Sequence, residues 1–346
     1  MTAANAIFDL LRESQKPFVF FRLPNASQVQ LYFQEDFRCH NNENLEQEGF
    51  VFKAFDTTKS SYCIPSDKRM TFDWSPEVFK KKTTPNLATK FENKEEHISL
   101  INKVQDCIRK GELKKVVLSK KVSVPIQNPI GFDYYLKLLS AYPDGMVYFW
   151  NHPETGSWIG ATPEKLLTVD ESHYHTMALA GTLVYKEGEE PNWTDKEIEE
   201  QQFVVAAIEE GIATSFPGVT VERSERHTKK AGNIQHLCTD IRFSTGSLAM
   251  TDIISVLHPT PAVGGLPKQA SLDFITKNEG YDRQYYSGVL GPVTLDQKEL
   301  FVNLRCGQLR DSFFDIYVGG GITAASQSEK EWEELQRKSE TLLSWL

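Results

Sequence analysis

Cysteine is sparse in this chain. The five residues Cys39, Cys63, Cys107, Cys238 and Cys306 are odd in number and widely spaced. With no CxxC and no Cys/His cluster, neither a zinc site nor a disulfide framework is expected, and reduced thiols are the default. Positive charge is in deficit, with 38 Lys and Arg against 47 Asp and Glu, a net charge of -9 and a pI near 5.5. That balance argues against a nucleic-acid surface, which needs clustered cations to replace phosphate counterions. It also means that any anionic ligand must be captured by local groups, because the overall field repels it. Long apolar runs are missing as well: none approaches the roughly 18 residues of a membrane span. The stretch from Met1 to Pro17 interleaves Asn5, Asp9, Arg12, Glu13 and Lys16 with its apolar residues, unlike a signal peptide. No repeat or low-complexity segment occurs. A cytoplasmic, globular protein is expected, a monomer by default, with no nucleic-acid or membrane partner.

What is present is an ordinary globular composition, 40% hydrophobic and 25% charged over 346 residues. The stretch from Ser66 to Asn93, with Pro76, Pro85 and the run Lys80-Lys81-Lys82, looks irregular, and the lysine run reads as a solvated face. Beyond it Ile98, Ile101, Val104 and Ile108 recur at helical spacing, with Gly111 as a stop. Strand-like runs are predicted at Lys115–Val124, Met146–Trp150, Lys165–Val169, His175–Thr182, Val219–Arg226, Ile234–Phe243, Tyr286–Thr294, Leu300–Leu309 and Phe313–Val318. Helices are predicted near Phe132–Ala141, Asp195–Ser215, Met250–Leu257, Pro267–Lys277 and Glu329–Leu346. Many strands are adjacent without an intervening helix, which favours an antiparallel α+β arrangement over a doubly wound sheet.

Thr194-Asp-Lys-Glu197 and Ser328-Glu-Lys-Glu331 both read as capping boxes that open helices. In each helix another carboxylate follows three residues later, Glu200 and Glu334, one turn along on the same face. In the last helix Glu331, Glu334 and Lys338 form a polar stripe beside the apolar stripe Trp332, Leu335 and Leu342. Such a stripe fits a solvated charged face. The alternative is two carboxylates converging on a hard cation, since Mg²⁺ prefers one or two carboxylates plus waters and substrate oxygens.

Nine segments occur in order: Lys-Val-Val-Leu-Ser-Lys (115–120), Gly-Ala-Thr-Pro-Glu (160–164), Ala-Leu-Ala-Gly-Thr (178–182), Gln-His-Leu-Cys-Thr (235–239), His-Pro-Thr-Pro-Ala-Val-Gly-Gly-Leu-Pro (258–267), Gly-Val-Leu-Gly-Pro (288–292), Val-Asn-Leu-Arg (302–305), Gly-Gly-Gly-Ile (319–322) and Glu-Trp-Glu-Glu-Leu-Gln-Arg-Lys (331–338). Together they resemble the chorismate-binding family: isochorismate synthases, salicylate synthases and the large subunits of anthranilate and aminodeoxychorismate synthases. The resemblance covers roughly Glu95 to Leu346. It implies one domain over residues 1–346, with large antiparallel sheets enclosing the site and helices outside. Residues 1–93 would be a variable portion that completes the sheets, and 94–346 the catalytic region.

Position by position, the resemblance implies Glu200 and Glu334 as magnesium carboxylates, with Glu197 and Glu331 supporting them as caps. Gln201 stands where the family usually has His. Lys115 matches the general base of the water-using members, Glu164 the general acid, and His236 an active-site histidine. Amine-using members usually carry a non-basic residue at the first position. Aminodeoxychorismate synthases commonly place a nucleophilic Lys where this chain has Ala180. Both features imply water as the nucleophile, and hence isochorismate synthase. The substrate chorismate would be held by Gly181, Thr182, Thr260, Arg305, Gly320, Gly321 and Lys338, with Tyr317 a weaker candidate.

Converting chorismate to isochorismate requires water to attack C2 and hydroxide to leave C4, so an acid and a base must act together. Free Lys, with a pKa of about 10.4, is neutral in about 1 in 2,500 molecules at pH 7, and free Glu, about 4.3, is nearly all ionised. Both must be tuned, and desolvation moves each in the useful direction.

Three rivals differ in what they require. Gly319-x-Gly321-x-x-Ala324 resembles half of a dinucleotide-binding fingerprint, but the chain left before Leu346 cannot hold the rest of the βαβ unit. A non-catalytic chorismate-binding protein is set against the intact Lys115, Glu164, Glu200 and Glu334. A salicylate synthase forms the same product and then eliminates pyruvate, and no single motif separates it. Menaquinone and siderophore pathways are likewise not distinguished.

Overall fold

The computed structural model describes residues 1–77, 79, 91–231, 234–244 and 248–346. The Lys80–Lys82 run and Pro85 lie outside the described residues. Two antiparallel sheets face each other, with helices on the outside. In spatial order, one sheet runs Gly265–Leu266, Lys115–Pro125, Phe313–Ile322, Cys306–Arg310, Gly156–Thr162, Met146–His152, Phe18–Arg22, Gln28–Phe33 and Arg69–Asp73. The other runs Val221–Arg223, Ile234–Ser244, His173–Val184, Lys165–Asp170, Gln297–Val302, Val289–Val293, Gly49–Lys53, Tyr62–Pro65 and His40–Asn41, with His227–Ala231 also paired to Ile234–Ser244. Among the described residues all strand pairs are antiparallel, as the succession of strands without helices predicts.

Central strands buried on both faces lose the apolar/polar alternation of a half-exposed sheet. Phe18-Val-Phe-Phe21 is the clearest case. Val19 and Phe21 enter the layer between the sheets with Phe50, Phe52, Tyr148, Trp150, Trp158 and Leu290. Phe18 and Phe20 point the other way, against Phe8 and the helix Phe132–Ala141. On the far side, the helices Asp195–Ser215 and Met250–Leu257 cover the second sheet through Val204, Ile208, Ile212, Ile253 and Leu257. Trp332, Leu335 and Leu342 of the helix Ser328–Leu343 pack on the first sheet, as their spacing predicts.

Several local readings are corrected. Leu300–Leu309 is not one strand: Gln297–Val302 belongs to one sheet and Cys306–Arg310 to the other. The chain crosses between them at Asn303-Leu304-Arg305, where Arg305 takes a left-handed φ of 48°. Apolar character is continuous across the crossing because both strands feed buried layers. Gly156–Thr162 and His227–Ala231 are strands that the pattern reading does not predict, and the segment read as irregular contains Arg69–Asp73. Val221–Arg223 and Val289–Val293 are shorter than predicted. The capping box at Thr194 and Glu197 is present. The one at Ser328 is not: Gln327 precedes the helix, Ser328 Oγ bonds Asn102 Oδ1 at 3.1 Å, and Glu331 turns inward instead.

Candidate active site

Two points where the chain passes from one sheet to the other build the site. One is Thr162-Pro163-Glu164, between Gly156–Thr162 and Lys165–Asp170. The other is the Asn303–Arg305 crossing. They are tied together, since Ala161 N–H donates to the Arg305 carbonyl at 3.1 Å and Val302 N–H to the Glu164 carbonyl at 3.0 Å. Both side chains thereby reach one cavity, about 720 Å³ of atom-free space with the solvent at its mouth included.

Lys115, Glu164, Gly181, Thr182, Glu200, His236, Arg305, Tyr317, Gly321, Glu334 and Lys338 all line that cavity. Four predicted residues do not: Thr260, Gly320, Glu197 and Glu331. Thr260 is buried behind the wall and donates to Glu164 Oε1 at 3.4 Å. Gly320 turns its Cα hydrogens toward the helix Ser328–Leu343, where a Cβ would meet Glu331 Oε2 and Leu335. Strand alternation explains this, because Gly319 and Gly321 take the cavity face and Gly320 the opposite one. Glu197 is the capping-box acid outside the lining.

Glu164 is 4% exposed, and burial pushes its carboxyl up to about 7, with the Lys115 ammonium and the Thr260 hydroxyl opposing that rise. Lys115 is 1% exposed, and its Nζ lies 3.0 Å from Glu200 Oε1. Lys338 Nζ pairs with Glu334 at 2.8 Å and also donates to the Gly319 carbonyl at 2.9 Å. Glu331, behind Glu334, accepts from Lys196 at 2.8 Å. Burial would raise the Glu334 carboxyl, but Lys338, Lys196 and Arg337 outweigh it and hold it low. Burial, followed by the neighbouring Glu334, pushes Glu331 up. Burial would lower the Lys196 ammonium, and Glu331, Glu334 and Glu200 reverse that. Lys196 is missed by sequence reasoning, because a lysine in the first turn of a helix reads as solvated.

His236 has both ring nitrogens engaged. Nδ1 lies 2.7 Å from the Gly181 carbonyl, an acceptor only, so Nδ1 carries the proton. Nε2 then accepts from Arg305 Nη2 at 2.9 Å. Burial, then the positive charges of Arg305 and Lys338, drive its pKa far down, so the ring is neutral. Gly181, with φ of 71°, sits where the register of the His173–Val184 strand shifts, which turns its carbonyl toward His236.

The cavity's acid end holds Glu200 and Glu334 on different helices. Among the described residues no group of three or more His, Cys, Asp or Glu is assembled to hold a metal alone. Two carboxylates, each balanced here by an ammonium, fit a hard cation that takes its remaining ligands from water and substrate oxygens. Tyr286, Leu304, Val117 and Val263 add to the walls; the last three fall within the segments that carry the resemblance, where no role is expected of them, and Tyr286 lies outside those segments.

A family profile described as "Chorismate binding enzyme" matches residues 53–346. Among curated proteins, the chain is 31% identical over 247 residues to the isochorismate synthase MenF of Haemophilus influenzae, covering 68% of this chain and 57% of that protein. It is 27% identical over 292 residues to the isochorismate synthase EntC of Escherichia coli, covering 81% and 72%. The match to the MenF proteins thus takes in less than two thirds of their length. Among solved structures, the putative 2,3-dihydroxybenzoate-specific isochorismate synthase DhbC of Bacillus anthracis superposes with a TM-score of 0.81 at 22% identity, covering 97% of this chain and 98% of that one. Anthranilate synthase component I of Streptococcus pneumoniae gives 0.70 at 18%, covering 94% and 89%. These two likenesses speak to the fold.

Proposed function

The chain belongs to the chorismate-binding enzymes, and from that premise we propose that it is an isochorismate synthase. The observation that carries this reading is a buried carboxyl that keeps its proton near pH 7, Glu164, sharing one cavity with a buried amine, Lys115. Lys115, in its neutral amine form, takes a proton from water as the water oxygen bonds to C2 of chorismate. The ring double bonds shift, the C4–O bond breaks, and Glu164 gives its proton to the departing hydroxyl, so one water enters and one leaves. Arg305, held by the His236 ring, offers a planar pair of donors to a substrate carboxylate. The role of His236 is then to hold Arg305 in place as a neutral acceptor, which refines the catalytic part expected of it from resemblance.

Glu200 and Glu334 would hold Mg²⁺, which when bound would draw electron density through the ring carboxylate as C2 is attacked. Lys115 pairs with Glu200 and Lys338 with Glu334. Ala180 in the cavity wall offers no amine nucleophile.

Incubating the chain with chorismate and Mg²⁺ and separating the products tests the reading. Isochorismate formation that stops with EDTA is expected. Absence of turnover would overturn it, and release of pyruvate would reassign the chain to salicylate formation.

A further inference from the structure

One half-buried ammonium beside the cavity, though not in its lining, has no part in the chemistry above. Lys229, on the strand His227–Ala231, stands directly opposite His236 in the antiparallel pair. Directly opposed residues put their side chains on the same face of a sheet. For His236 that face is the cavity wall. Met177, Leu179 and Cys238 form a small apolar cluster on the neighbouring strands, and Leu179 also lines the cavity. Lys229 Nζ reaches to this cluster, 3.4 Å from Met177 Sδ.

A thioether is a weak acceptor and carries no charge to balance an ammonium. Lys115, Lys196 and Lys338 each meet a carboxylate, whereas among the described residues Lys229 meets none. Its field still reaches the site. Behind the dominant effect of burial, Lys229 is among the cations that draw the Glu164 carboxyl back down and push the His236 imidazole further down. In a chain of net charge -9, a dianion needs such uncompensated local charge to enter.

We propose that Lys229 is a substrate-binding residue, a second cation for the chorismate carboxylate that faces Arg305 and His236 rather than Glu200 and Glu334. The proposal rests on the isochorismate synthase reading. It makes Lys229 a determinant of capture, not of proton transfer.

Steady-state kinetics of Lys229→Met and Lys229→Arg with chorismate test this, at low and high ionic strength. Met keeps the length and the apolar contact with Met177, and unfolding temperatures check that both variants fold like the parent. In Lys229→Met the KM for chorismate should rise about fivefold to tenfold, as befits one partly screened charge. Its kcat should stay within about twofold, and kcat/KM should lose part of its salt dependence. Lys229→Arg should restore KM. An unaltered KM and salt dependence in Lys229→Met, while the parent turns chorismate over, would overturn the proposal and leave the reaction standing. A fall in kcat alone would also overturn it. No turnover by the parent would remove the reaction itself, and the proposal with it.

Discussion

At the scale of single residues, the chemistry depends on where a proton sits and on how closely a backbone approaches. The Glu164 carboxyl, raised to about 7 against an ordinary 4.5, binds its proton more tightly in the folded chain than in the unfolded one. Stability from this group is therefore full below the ordinary carboxyl range and lost as pH rises through about 7, by about 3 kcal/mol in all. Urea unfolding at about pH 5 and about pH 8 should show that loss in the parent and not in Glu164→Gln. The same proton sets activity. kcat/KM should fall as pH rises through about 7, and Glu164→Gln should cost about a thousandfold in kcat while chorismate still binds. A flat pH profile above neutrality, or retained kcat, would exclude Glu164 as the acid. Gly321 is the second such point. A Cβ there would lie 2.6 Å from Glu200 Oε1 and 3.0 Å from Lys115 Cε. Gly321→Ala should displace both and lower kcat about a hundredfold with little change in unfolding temperature. Activity within tenfold of the parent would show that the two side chains are not held as described.

At the scale of elements, the two helices bearing Glu200 and Glu334 come from distant parts of the chain and must keep their relative position. Lys196 on one and Glu331 on the other bridge them, with Glu331 side chain 3% exposed. Removing the cation leaves a buried carboxylate without its partner, which costs about 2 kcal/mol for a pair that is partly open to solvent. Lys196→Met should show that loss in urea unfolding, and weaker Mg²⁺ activation besides. An unchanged Mg²⁺ dependence would mean that the bridge only stabilises. This contact also marks the limit of what is legible in the sequence. The spacing of Glu331, Glu334 and Lys338 places one face of the helix, and Trp332, Leu335 and Leu342 place the other. Which face meets solvent is decided by the other helix, some 135 residues away, and no local pattern encodes that. Glu331 could thus be read as a cap although it is a buried partner. The strand break at Asn303–Arg305 is hidden for a similar reason. Hydrophobicity reports burial but not which of two buried layers a strand enters.

At the scale of the whole molecule, the first 73 residues supply interior strands, not an appendage. Phe18–Arg22 is hydrogen-bonded between Gln28–Phe33 and Met146–His152, and Gly49–Lys53 between Tyr62–Pro65 and Val289–Val293. In the layer between the sheets Phe52 stacks with Trp150 and Tyr285, and Phe50 packs at a tilt against Phe21 and Trp150. The motifs that carry the resemblance begin only beyond this region, so no residue pattern within it marks which of its strands enter the core. Deleting residues 1–73 would uncover both sheet edges and the apolar layer they close, although every cavity-lining side chain remains on the chain. Each buried Phe alone stabilises by about 2 kcal/mol, and a whole domain is stable by only about 5–15 kcal/mol, so the loss of several exceeds the margin. The truncated chain should aggregate or unfold without cooperativity in circular dichroism and should not turn chorismate over. A soluble, cooperatively folding and active fragment 74–346 would show instead that the site stands on a core of its own.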